Sequence, residues 1–111
     1  MWYNITRNDY ERLVETMIAA ASLQSELQTR LKKMTAGEVL QVRTWKGDRG
    51  LTITCLDTDL FQLEEDGFQN QVFDNLSLSA VLKAVKPIAR REFPRSNKLR
   101  LTIVKEGNIH G

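Results

Sequence analysis

The sequence predicts an α+β fold: a long N-terminal helix, a mainly antiparallel sheet of four to five strands from two hairpins, a second helix and a final strand. Three observations carry this. Apolar residues recur at steps of three and four from Asn8 to Thr35, and the period changes to two after Gly37. A helical period then returns between Ser77 and Pro94, before one last alternating run.

The first helix is expected over about Asn8–Thr35. Asn8 and Glu11 have the spacing of a capping box. Asp9, Glu11 and Glu15 suit the positive end of the helix dipole, and Arg30, Lys32 and Lys33 suit the negative end. Leu13, Met17, Ala20, Leu27, Leu31 and Met34 form an apolar stripe with Gln24 as its polar interruption, and Gly37 supplies a left-handed stop. Such a helix would reach about 42 Å, against about 23 Å for a seven-residue strand. It therefore predicts either a break near Ala21-Ser22 or burial of the overhang in a homodimer, and the homodimer is preferred.

Beyond Gly37, residues 39–45 read as a strand with Leu40, Val42 and Thr44 on one face. Residues 46–50, Lys-Gly-Asp-Arg-Gly, make a turn, and Leu51–Leu56 returns antiparallel. Asp57-Thr58-Asp59 interrupts, and a second hairpin joins residues 60–65 to 68–73 through Asp66-Gly67. Ser77 caps a second helix carrying Val81, Leu82, Val85, Ile88, Ala89 and Phe93. Pro87 is expected to kink or split that helix, and Pro94 to end it. Residues 98–105 form the last strand, with Leu99, Leu101 and Ile103 on one face and a frayed tail after it at 106–111.

The predicted core is Leu13, Met17, Leu27, Leu40, Val42, Leu51, Ile53, Phe73, Val81, Leu82, Val85, Leu99, Leu101 and Ile103. At 111 residues with 41% hydrophobic content, the chain reads as one domain able to bury a core without disulfide or metal. The longest uncharged stretch, between Glu15 and Glu26, is ten residues, too short to span a bilayer. No start resembling a signal peptide is present, and the expected location is cytoplasmic. The single Cys55 excludes an internal disulfide and a multi-thiolate zinc site, and its place on the Leu51, Ile53 face predicts a buried thiol.

Enzymatic chemistry is poorly supplied, so no catalytic residue, cofactor or metal is expected. The only histidine, His110, is next to last in the chain. Asp57-x-Asp59 begins like a calcium loop, but Phe61, Gln62 and Phe68 occupy positions where the loop needs an oxygen ligand, a glycine and a glutamate. Gly47 and Gly50 precede a strand rather than a helix, so they do not form a phosphate cradle of the kind that aims helix N–H groups at an anion.

Charge is the informative feature. The net charge of +2 conceals segregation: residues 56–82 carry six acidic groups and no base, whereas residues 83–111 carry eight basic groups against Glu92 and Glu106. Lys86, Arg90, Arg91, Arg95, Lys98 and Arg100 are expected to contact phosphates, because guanidinium forks match phosphate geometry. Trp45 is expected to stack, with Lys46 and Arg49 extending the basic surface. The same stripe also reads as a solvated helix face that neutralises the acidic hairpin. The leading expectation is a small non-enzymatic protein that contacts a DNA or RNA backbone. The alternative is a protein–protein adaptor or assembly factor acting as a homodimer, with Trp2 and Tyr3 as further candidate anchors.

Overall fold

The computed structural model describes the backbone of residues 11–106 and the side chains of residues 15–104. Its strands are β1 (Glu11–Ala19), β2 (Val39–Arg43), β3 (Gly50–Asp57), β4 (Leu60–Asp66), β5 (Asn70–Leu76) and β6 (Lys98–Glu106). Helix α1 spans Leu23–Leu31 and α2 spans Leu78–Glu92. The strands form one six-stranded sheet in the order β1-β6-β2-β3-β4-β5, with every neighbouring pair antiparallel. Residues 39–76 run as a four-stranded meander. Helix α2 then returns the chain so that β6 enters between β1 and β2.

One face of the sheet holds the core. Leu40 and Val42 stand opposite Ile53 and Leu51 on one side and opposite Ile103 and Leu101 on the other, and all six are buried. Leu23, Leu27 and Leu31 of α1 and Val81, Val85 and Ile88 of α2 close over this face. Each such aliphatic side chain contributes about 1.5–3 kcal/mol relative to leaving it in water. The alternate residues Gln41, Arg43, Thr52, Thr54, Glu64 and Thr102 occupy the opposite, polar face. Ser77 caps α2 as its position predicts, its Oγ accepting from the Ala80 N–H at 3.2 Å. Pro87 lies inside α2, which runs through it as one helix rather than splitting.

The long N-terminal helix is not formed. Residues 11–19 are a strand, a 3-10 turn occupies Ala20–Ser22, and the helix proper has nine residues. The break thus falls where helix length demanded one, but the chain before it is extended. Nine consecutive residues of β1 pair with β6, from Glu11 opposite Glu106 to Ala19 opposite Lys98. This ladder covers the N–H and C=O groups of β6, which would otherwise form an open sheet edge. It also raises the strand count from four or five to six.

The exchange inverts part of the predicted stripe. Ile18 is buried, whereas Met17 is 39% exposed, because successive strand residues face opposite ways. With the long helix gone, the overhang behind the homodimer expectation is absent. Gly37 adopts the expected positive φ of 94°, but in the turn entering β2 rather than at the end of α1, and its N–H donates to the Cys55 carbonyl at 2.8 Å.

Of the remaining predicted core, Phe73 and Leu82 are half-buried and packed against the cluster, and the others within 15–104 are buried. Leu13, Trp2, Tyr3, Asn8, His110 and the 107–111 tail lie outside the described residues or side chains. Among the described residues no helix is long and apolar enough to cross a membrane.

Candidate nucleic-acid interface

Antiparallel pairing brings three connections to one end of the sheet: the β2–β3 loop, the tip of the β4–β5 hairpin and the α2–β6 loop. Together they enclose a groove of about 930 Å³. The first loop supplies Trp45, Lys46, Asp48 and Arg49, the hairpin tip supplies Phe68, the third connection supplies Pro94 and Arg95, and Lys98 is the first residue of β6. Four cations and the Asp48 carboxylate therefore line the groove, and one of the cations, Arg49, is paired with Asp48 at 3.9 Å and with the Glu92 carboxylate at 3.6 Å. Two large aromatic side chains stand in the open beside them, Trp45 at 66% and Phe68 at 65% exposure.

Each wall has a local cause. The β2–β3 loop folds tightly because Gly47, at φ 79°, donates its N–H to the Thr44 carbonyl at 2.9 Å. The buried Thr44 donates its hydroxyl to Asp48 Oδ1 at 2.7 Å, which holds the Asp48 carboxyl below its ordinary range. Arg100 fixes Trp45 from the sheet. Its Nη1 donates to the Trp45 carbonyl at 3.3 Å, and its guanidinium stands 6.0 Å from the indole centroid. Its other edge pairs with Glu15 at 2.8–2.9 Å.

The hairpin tip and the end of α2 are joined by two fully buried acids, Glu65 and Glu92. Arg91 grips Glu65 with both arms of its fork, at 2.8 Å from Nε and 2.7 Å from Nη2, and the Gln71 amide adds a bond of 2.7 Å. The bond from Arg91 is the main reason that the Glu65 carboxyl titrates at about 2. Glu92 reaches under the hairpin tip and accepts the Phe68 N–H at 2.9 and 3.1 Å and the Gln69 N–H at 3.4 Å. Burial, followed by the nearby Glu65 carboxylate, pushes Glu92 above its ordinary value. A Cβ on Gly67 would collide with Glu92 Oε1, so this turn needs glycine for close approach.

Arg49 completes the frame. It donates to the Glu92 carbonyl at 3.2 and 3.3 Å while its guanidinium lies 4.5 Å over the Phe68 ring. Loop, hairpin and helix end thus form one braced rim.

The nine sequence-predicted residues divide accordingly. Trp45, Lys46, Arg49, Arg95 and Lys98 meet in the groove, and Arg100 borders it behind Trp45. Arg90 is exposed on α2 beside a small hollow that shares Pro94 with the groove, and exposed Lys86 lies one turn back on the same helix face. Arg91 points the other way, into Glu65, so its fork is occupied within the protein.

Sequence reasoning missed Phe68, Glu65 and Glu92. Period held the signal for both acids: Glu65 is in phase with Phe61 and Leu63 along β4, and Glu92 follows Val81, Val85 and Ile88 on the inward stripe of α2. Cys55 is buried as its strand position implies, and burial raises its thiol pKa, which keeps it in the unreactive thiol form.

The fold and site define an antiparallel α+β sheet with two helices on one face and a basic, aromatic groove at one end. No protein-family model, curated protein or solved structure matches this chain.

Proposed function

We propose that this chain is a non-enzymatic binding protein that holds a polynucleotide backbone in the groove at the end of its sheet. One observation carries the reading: the β2–β3 loop and the α2–β6 segment deliver Lys46, Arg95 and Lys98 to one cavity, none of them in an ion pair among the described residues, beside an Arg49 that is held by Asp48 and Glu92. Clefts lined by one sign of charge concentrate oppositely charged ligands and speed their capture. Arg90 and Lys86 continue the basic surface along α2, whereas Arg100, on the polar sheet face, is paired with Glu15. Asp57 at the end of β3 and Asp59 in the β3–β4 turn, by contrast, lie at the far end of the sheet. Glu64 lies on the polar sheet face, and Asp66 is paired with Arg43 at 3.3 Å. A bound polyanion would therefore avoid most of the acidic segment.

Fluorescence anisotropy of labelled oligonucleotides, titrated across a salt series, tests this reading. Binding should weaken linearly on a double-logarithmic plot against salt, with a slope that reports the phosphate contacts formed. An absence of binding at low salt would remove the reading.

The exposure of Trp45 and Phe68 favours a second reading, an adaptor that uses these rings as anchors for another protein or a second copy of itself. Such a complex would respond to salt mainly in its encounter rate.

A further inference from the structure

We infer that the ligand of this groove is a single-stranded polynucleotide, with unpaired bases stacked on Trp45 and Phe68. The inference rests on the backbone-binding reading and goes beyond it, because charge alone would accept single and double strands alike.

The rings carry the distinction. Phe68 has Arg49 over one face at 4.5 Å, and Trp45 has Arg100 on one side at 6.0 Å, yet both side chains remain about two-thirds exposed. Each ring is thus backed by a cation and offers its remaining surface to a ligand. Those cations are themselves held, Arg49 by the Glu92 carbonyl and Arg100 by Glu15 and the Trp45 carbonyl. Their forks support the rings rather than reading base edges. Trp45 also stands as a shared wall between the main groove and a second hollow lined by Glu15, Thr16, Met17 and Arg100, so it projects between two open spaces.

Bases in a duplex already stack on one another and expose only their edges in the grooves, leaving these rings no partner. Bases of a single strand have free faces, and stacking on aromatic side chains tolerates any sequence. Lys46 lies next to Trp45 in the chain, and Arg95 in the α2–β6 connection and Lys98 at the start of β6 line the same groove. Cations therefore flank the rings, as a strand with its bases turned inward and phosphates at the rim requires.

The experiment uses the purified full chain with a labelled mixed-sequence 12-nucleotide strand, as DNA and as RNA, and with the matching duplex, all at one low salt concentration. The strand should bind at least tenfold more tightly than the duplex, and tighter binding of either sugar form supports the inference. Trp45→Leu and Phe68→Leu should each weaken single-strand binding by about 5- to 150-fold, the range for loss of one stacked base, while the salt slope and duplex binding stay unchanged. Trp45→Phe should restore most of the loss. Thermal melting of each variant, together with its unchanged duplex binding, separates lost stacking from lost folding.

Equal or tighter binding of the duplex would overturn the inference, as would ring variants that weaken both ligands equally. In those cases the groove reads charge only, and the backbone-binding function stands. Failure of both ligands to bind would overturn the function and the inference together.

Discussion

The two ends of the sheet are built on opposite plans. At the far end, the β3–β4 turn is short, and its acids serve the backbone: Asp59 Oδ1 accepts the Leu78 N–H at 2.8 Å at the start of α2, and Asp57 Oδ1 accepts the Thr58 N–H at 2.7 Å. At the groove end, cations gather near the end of α2, and two large rings stand in water. The charges follow the α2 dipole, with acid at its start and base at its finish. Dipole complementarity accounts for that segregation without any ligand. It does not account for Trp45 and Phe68, nor for burying Glu65 and Glu92 to brace the rim. Removing two carboxylates from water is costly, so their presence marks the geometry of this end as something the fold maintains.

Three perturbations sharpen the contrast, beginning with one that spares neither end. Leu101→Ala, at the centre of the sheet, should cost about 2–5 kcal/mol, read as a lowered urea midpoint with the groove and far turn destabilised together. An unmoved midpoint would contradict the packing of β6 between β1 and β2.

Glu65→Gln should act next most strongly and mainly at the groove end. Breaking a buried ion pair costs about 3–5 kcal/mol, and the lower part of that range applies because Arg91, 30% exposed, can turn to water. The pH dependence follows from the depressed carboxyl. Glu65 contributes stability that is fully present above the unfolded value of 4.5 and is lost as pH falls towards about 2. Wild-type protein should lose stability through that interval, and Glu65→Gln should lack that component. Glu92 has the opposite sign: its raised value stabilises the fold at acid pH, and this contribution is lost as pH rises through that value.

Ser77→Ala, at the far end, removes the cap on α2 and should cost only about 1 kcal/mol. Oligonucleotide affinity should be unchanged in that variant. A loss comparable to that caused by ring substitution would mean that the two ends are not independent.

The sequence revealed these regions unequally, for a physical reason. Strands β2 to β6 and helix α2 declare themselves locally, through alternation on Leu40/Val42 and Leu99/Leu101/Ile103 and through Ser77 as a cap. Residues 11–19 satisfy two periods at once. Met17 extends a helical stripe, while Thr16 and Ile18 alternate as a strand would, and the acids at Glu11 and Glu15 imitate a helix start. The decision belongs to partners 79 (Ala19 to Lys98) to 95 (Glu11 to Glu106) positions away, because β6 supplies the pairing. The site was legible as a list of charges and Trp45, but not as a groove. Which loops meet depends on sheet order, and adjacent Arg90 and Arg91 separate into a surface cation and a buried brace only once α2 is placed against β4.

The central claim, that the groove end binds a polynucleotide through its free cations, is tested most directly by the salt dependence of single-strand binding in wild type and in Lys46→Ala/Arg95→Ala/Lys98→Ala. Among the described residues none of these three side chains is engaged in an ion pair, so the triple variant should melt like wild type. Its affinity should fall, and its slope against log salt should flatten by about 2, the loss expected for three phosphate contacts on a single strand. An unchanged slope and affinity in a folded variant would contradict the claim and leave the basic groove as the solvated counterpart of the acidic turns.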